Sequence, residues 1–258
     1  MKLKSTLLYL SLGLLLWVGC SGNTEIDETI EYSETKTETN KDQEETGTAS
    51  SEDEKKTFRI LSLGDSYTIG ESVCDTCKFP EQLKTALKSE FDTKVEFELQ
   101  VIAQTGWTTS SLISAINAEK PKDNFDLVTL LIGVNNQFQG RPFSLFENEF
   151  IRLVNTATRL ANSQKDKVIV VSIPDYAFTP FGKGNVNISN GIDRYNNFAE
   201  NYCESISVSY VNITDITRDG LNNTALVASD RLHPSALAYS KFVERILPIA
   251  LEKLKSQF

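Results

Sequence analysis

A chain of 258 residues, 40% of them hydrophobic, can bury one substantial core, or one core with an unstructured tail, which excludes a wholly disordered protein. Its formal charge of -9 reflects 35 acidic against 26 basic side chains, and no basic stripe interrupts the balance, so nucleic acid is excluded as a partner. The chain has 1 histidine, so chemistry that needs an imidazole must use His233.

Met1 to Cys20 has a basic start (Lys2, Lys4), an apolar run from Leu7 to Val18, and then Gly19-Cys20. The run is short for a bilayer span and reads as an export signal. A small residue before cysteine at the end of such a run resembles the bacterial lipobox, although Trp17 stands where leucine is usual. Lipidation of Cys20 and anchoring to a membrane of the bacterial cell envelope are therefore expected, with an ordinary cleaved signal as the alternative. Residues 21–56 hold 12 acidic and 4 basic side chains and almost nothing to bury, so the rest of the chain is nearly balanced. Such a segment is expected to be a disordered tether of roughly 30–35 Å.

Residues 57–258 read as one domain. An apolar strand is expected over Phe58 to Leu63, leading to Gly64-Asp65-Ser66. Pro80 suits the first turn of a helix with Leu83, Ala86, Leu87 and Phe91 at helical spacing. Strand two spans Lys94 to Ile102 and ends at Gln104-Thr105-Gly106-Trp107, followed by a helix from about Thr108 to Pro121. The nearly all-apolar Phe125 to Ile132 suits a strand covered on both faces, and it delivers Gly133-Val134-Asn135-Asn136. An amphipathic helix over Ser144 to Asn162, a strand over Val168 to Ile173 and an irregular loop over Phe178 to Ile188 come next. A helix over Ile192 to Ile206, a fifth strand over Val208 to Ile213 and a helix over Ala236 to Leu254, kinked at Pro248, complete the pattern. Alternating strands and helices predict an α/β fold with five parallel strands covered on both faces.

Cys74-Asp75-Thr76-Cys77 has redox or half-zinc spacing, yet no second pair or spare histidine completes a metal site. A local disulfide is expected in an exported protein, with free thiols or pairing to Cys203 left open. It would stiffen the rim eight residues past Ser66.

In an open parallel sheet the ligand site lies beyond the carboxyl ends of the strands. Ser66 follows strand one, Gly106 strand two, Asn135 strand three, and Asp230 with His233 strand five, so all fall on one rim. A serine hydroxyl needs a base and preorganised donors to attack a carbonyl. His233 supplies the base, Asp230 three residues earlier orients it, and the Ser66 and Gly106 amides with the Asn135 side chain offer three oxyanion donors. Trp107 and Phe178-Thr179-Pro180-Phe181 are candidate pocket linings.

On these four blocks, Gly64-Asp65-Ser66, Gly106, Gly133-Val134-Asn135 and Asp230 to His233, the chain resembles the SGNH hydrolases, also called the GDSL esterase and lipase family. The resemblance covers nearly all of Phe58 to Phe258. Asn136 stands where that family often has aspartate, and Gly64 and Thr68 flank Ser66 at the two positions that would define a Gly-x-Ser-x-Gly elbow. The resemblance implies a flavodoxin-like three-layer α/β/α fold and serine esterase chemistry through an acyl-enzyme, without metal or cofactor. Short acyl esters, such as acetyl groups on carbohydrate, are the expected substrates, and the enzyme is expected to act as a monomer. Lysophospholipase, thioesterase or acyltransferase activity of the same family, or a non-catalytic binding lipoprotein, are the alternatives.

Overall fold

The computed structural model describes residues 55–258. The export signal, Cys20 and all of the tether except Lys55 and Lys56 lie outside the described residues.

Strand β1 (Lys56–Gly64) enters the one-turn helix α1 (Ser66–Ile69), followed by α2 (Phe79–Glu90), β2 (Val95–Ala103) and α3 (Thr109–Glu119). Then come β3 (Leu127–Leu131), α4 (Val134–Phe138), α5 (Phe143–Leu160), β4 (Val168–Val171), α6 (Val186–Ser205), β5 (Ser209–Val211), α7 (Thr214–Arg218) and α8 (Ala236–Lys255). The strands form one all-parallel sheet in the order β2-β1-β3-β4-β5. This is the three-layer α/β/α arrangement expected from the sequence.

The strand order fixes the layers. The chain moves outward from β1 to β2, then reverses and steps through β3, β4 and β5, and right-handed crossovers put helices on opposite faces when the direction changes. Helix α2 accordingly packs on α8, whereas α5 packs between α3 and α6. All five β3 residues are buried, so this strand is a continuous apolar run, relieved only by the Thr129 hydroxyl donating to Ser62 Oγ at 2.9 Å.

The reversal between β1 and β3 opens a crevice at the carboxyl end of the sheet. Gly64 pairs with both Ala103 and Leu131, so three strands end level and release their loops side by side. A Cβ on Gly64 would lie 2.4 Å from the Leu131 carbonyl oxygen and 2.1 Å from Thr68 Oγ1, so only glycine lets the turn into α1 lie so close to β3.

Two expectations are corrected. Helix α6 begins at Val186, six residues before the expected start, because Asn185 caps it by accepting from the Asn187 amide and its first turn is too polar to show helical periodicity. Helices α4 and α7 have no counterpart in the expected pattern, since five residues carry too little periodicity to register. Helix α8 spans the residues expected of it, with the exposed Pro248 inside it.

Candidate active site

Ser66 is the first residue of α1 and is almost fully buried. Asp65 caps this helix by accepting from the Tyr67 amide at 3.1 Å. Asp65 is completely buried, and the lost hydration pushes its carboxyl up to about 7, against the opposing pull of the Tyr67 and Gly133 amides and the Asn135 side chain. Its Oδ2 nevertheless has no hydrogen-bond partner. Among the described residues, neither the Ser66 nor the Gly106 backbone amide is taken up by a hydrogen bond, so both remain available to a ligand.

Gly106 holds a left-handed φ of 84° in the loop after β2, with open space where a Cβ would project. The requirement for glycine here is conformational and leaves the backbone open to a substrate. Asn135 stands in the first turn of α4, and its Nδ2 donates to the Trp107 carbonyl at 3.0 Å. That bond fixes which side of the amide carries the nitrogen, and Asn135 lines the cleft. Gln139 Nε2 donates to the Gly106 carbonyl at 3.0 Å and ties the same two loops together.

His233 lies in the loop between α7 and α8. The loop closes on itself through the Ala228 amide on the His233 carbonyl at 2.7 Å and the Ser235 amide on the Leu226 carbonyl at 2.9 Å. Within it, Asp230 Oδ1 accepts from the Leu232 and His233 amides, and Oδ2 contacts His233 Nδ1 at 2.5 Å. Partial burial works to raise the Asp230 carboxyl, but these bonds and a donated Ser72 hydroxyl outweigh it and bring it down to about 2. A carboxylate on Nδ1 fixes the ring tautomer and leaves Nε2 to face a substrate. The Tyr67 ring meets the imidazole edge-on with centroids 5.7 Å apart.

Ser66, Gly106, Asn135 and His233 line a single cleft of about 210 Å³, completed by Tyr67, Thr105, Val134, Phe138, Tyr176 and Leu232. Ser66 and His233 share this cleft without a hydrogen bond between their side chains. Residues 62–241 match the model of the GDSL-like lipase/acylhydrolase family. The chain belongs to that family.

The GDSL fold assignment is matched by solved structures. A lipolytic G-D-S-L protein from Veillonella parvula superposes with a TM-score of 0.58 at 16% identity, over 74% of this chain and 97% of that one. An acetyl xylan esterase from Geobacillus stearothermophilus gives 0.59 at 17% identity, over 75% and 94%. A psychrotrophic esterase from Pseudoalteromonas, inhibited by monoethylphosphonate, gives 0.54 at 16%, over 76% and 98%. At these identities the likeness carries the fold. No curated protein matches the chain. Family membership makes this chain a carboxylic ester hydrolase.

The departure from the GDSL pattern at Asn136 has a structural partner. Asn136 is buried, accepts from the Thr109 amide at 2.9 Å and donates to Thr109 Oγ1 at 2.7 Å, joining α4 to the start of α3. Thr109 Oγ1 passes its hydrogen to Glu149 Oε2 at 2.5 Å.

The structure also redraws the expected lining of the pocket. Trp107 packs against the core, and Phe181 reaches the cleft only through its neighbours. The aromatic wall is Phe138 and Tyr176, with ring centroids 5.9 Å apart, backed by Phe181 at 6.2 Å from Phe138. Phe138 is 53% exposed and three residues past Asn135, an offset that puts both on one face of α4. Tyr176 is held by Gln137, which accepts its hydroxyl at 2.7 Å, and by the turn that buried Asp175 caps. Arg218 braces Asp175 at 3.0 Å. Cys74 and Cys77 form a disulfide with their Cα atoms 4.9 Å apart, and Cys203 is free and buried. No group of three or more potential metal ligands occurs among the described residues.

Proposed function

We propose that the protein is a serine esterase that removes short acyl groups, acetyl foremost, from a carbohydrate or similarly bulky alcohol. The observation that carries this reading is the shared cleft. It holds a buried serine, two unoccupied backbone amides, the Asn135 amide and an imidazole backed by a carboxylate. Ser66 Oγ attacks the ester carbonyl as His233 Nε2 takes its proton. The developing oxyanion is met by the Ser66 and Gly106 amides and by the Asn135 side-chain amide. His233 then returns the proton to the departing alcohol, and the same groups serve water in deacylation. Asp230 holds the ring and favours its charged form during each transfer.

The size of the cleft supports the short acyl group. About 210 Å³ is below the roughly 300–1,000 Å³ usual for clefts that engulf a drug-sized ligand. A long acyl chain would have to lie along the surface. The exposed Phe138 face at the mouth offers a flat apolar platform of the kind that sugar rings stack on.

The test is a series of nitrophenyl esters from acetate to laurate beside acetylated sugars, for the wild type, Ser66→Ala and His233→Ala. Each variant should lose at least ~10³ of turnover. A fluorophosphonate should label the wild type at Ser66 only. Equal turnover by Ser66→Ala overturns the nucleophile, and a rate that rises steadily to laurate overturns the short-acyl reading.

A further inference from the structure

The three residues directly after α1 touch three parts of the site that the sequence scatters along the chain. The Gly70 and Glu71 amides both donate to the Ser66 carbonyl, at 3.1 and 3.0 Å. Glu71 Oε2 accepts the Thr105 hydroxyl at 2.5 Å, one residue before Gly106. Ser72 Oγ donates to Asp230 Oδ2 at 2.8 Å, on the same oxygen that meets His233 Nδ1. One short segment thus contacts the backbone of the nucleophile, the loop of an oxyanion donor and the carboxylate behind the base.

The conformation of this segment is unusual in a way that calls for a restraint. Ser72 has a left-handed φ of 65°, which costs a residue with a Cβ about 1 kcal/mol or more unless its surroundings hold it there. Gly70 is left-handed as well and packs so close to Lys78 that a Cβ would lie 2.4 Å from the Lys78 Cβ. Between those ends the Cys74–Cys77 disulfide closes the loop. Cys74 is exposed, so a reductant in solution can reach the bond.

We infer that Ser72 is a positioning residue for the Asp230–His233 pair, and that the Cys74–Cys77 disulfide is the latch that keeps it in place, making turnover sensitive to reduction. The inference rests on the proposed catalytic roles of Ser66, His233 and Asp230. A dithiol such as dithiothreitol would supply two electrons and two protons, splitting the S–S bond into two thiols while it is itself oxidised to a cyclic disulfide. The freed loop can then leave its left-handed turn, and Asp230 Oδ2 loses its hydroxyl donor. Asp230 keeps its two backbone amides, so the effect is a loss of alignment and not of the dyad.

The decisive variant is Ser72→Gly, because glycine accepts φ 65° more readily than serine and removes the hydroxyl without straining the fold. Its melting temperature should match or exceed that of the wild type. Its kcat on nitrophenyl acetate should fall about tenfold with KM unchanged, the size expected for one hydrogen bond to a charged group. With one donor gone, Oδ2 presents more negative charge to the imidazole, so the acidic limb of the kcat/KM profile should move to higher pH. Treating the wild type with dithiothreitol should reproduce the tenfold loss and reverse on reoxidation, while reduction of Ser72→Gly should add nothing. Native alkylation mapped by mass to Cys74 and Cys77 reports reduction, since among the described residues the remaining cysteine, Cys203, is buried.

Unchanged kcat and pH limb in Ser72→Gly would overturn the positioning role. Full activity with both loop thiols alkylated would overturn the latch. Failure of the underlying reading looks different: Ser66→Ala would stay active, or the phosphonate would label another residue.

Discussion

Asp65 is a carboxyl group that folding places in a fully buried site beside the proposed nucleophile, and Asp65→Asn tests what that costs. Burial raises its pKa from 3.8 to about 7. The folded state therefore holds a proton that the unfolded chain has released, and Asp65 lowers stability progressively as pH climbs from about 4 through 7. A rise of that size corresponds to about 4 kcal/mol in total, more than half of it lost between pH 5 and pH 8. Asparagine can still cap α1 through its side-chain oxygen, but its amide does not titrate. Urea unfolding of both proteins at a series of pH values gives the difference in stability, from which groups common to both cancel. That difference should shift in favour of Asp65→Asn by about 2–3 kcal/mol from pH 5 to pH 8, whatever constant offset the new N–H adds. A difference independent of pH would refute the argument, because it would mean that the carboxyl ionises in the folded protein as freely as in the unfolded chain.

Asn135→Ala should lower kcat by about 10²–10³ with little change in KM, since the donor it removes acts on charge that appears only in the transition state; steady-state kinetics on a nitrophenyl ester would check it. Gly64→Ala should cost about 1–3 kcal/mol of stability and reduce activity with it, because the new methyl must displace either the Leu131 carbonyl or the Thr68 side chain on which the turn into Ser66 rests; a melting curve beside the same assay would show both.

The strands can be read from the sequence because buried parallel strands are apolar runs bounded by polar turns, and β3 is the clearest example. Strand starts and ends follow to within a few residues, and with them comes the rim that gathers Ser66, Gly106, Asn135, Asp230 and His233. Pairing of Asp230 with His233 is legible for a local reason: three residues separate them, and the loop that joins them is held by its own backbone. Ser72 is not legible, because its partner lies 158 positions away and no periodicity links a serine in a turn to a distant carboxylate. Phe138 escapes notice for a different reason. It belongs to a five-residue helix that is too short to leave a pattern, whereas Trp107, a more conspicuous aromatic, turns to the core.

The amide at Asn136 gives the seam between α3 and α4 a direction. An amide offers one hydrogen and one lone-pair side, so it takes the Thr109 N–H with its oxygen and gives a hydrogen to Thr109 Oγ1, whose own hydrogen is then free to run on to Glu149. An ionised aspartate has no hydrogen to give: it would draw the threonine hydroxyl toward itself, and Glu149 on α5 would lose that donor. The relay thus carries the placement of Asn135 outward through Thr109 to a third helix, and because an amide neither gains nor loses a proton in ordinary buffers, that first link keeps one polarity from acid to alkaline conditions.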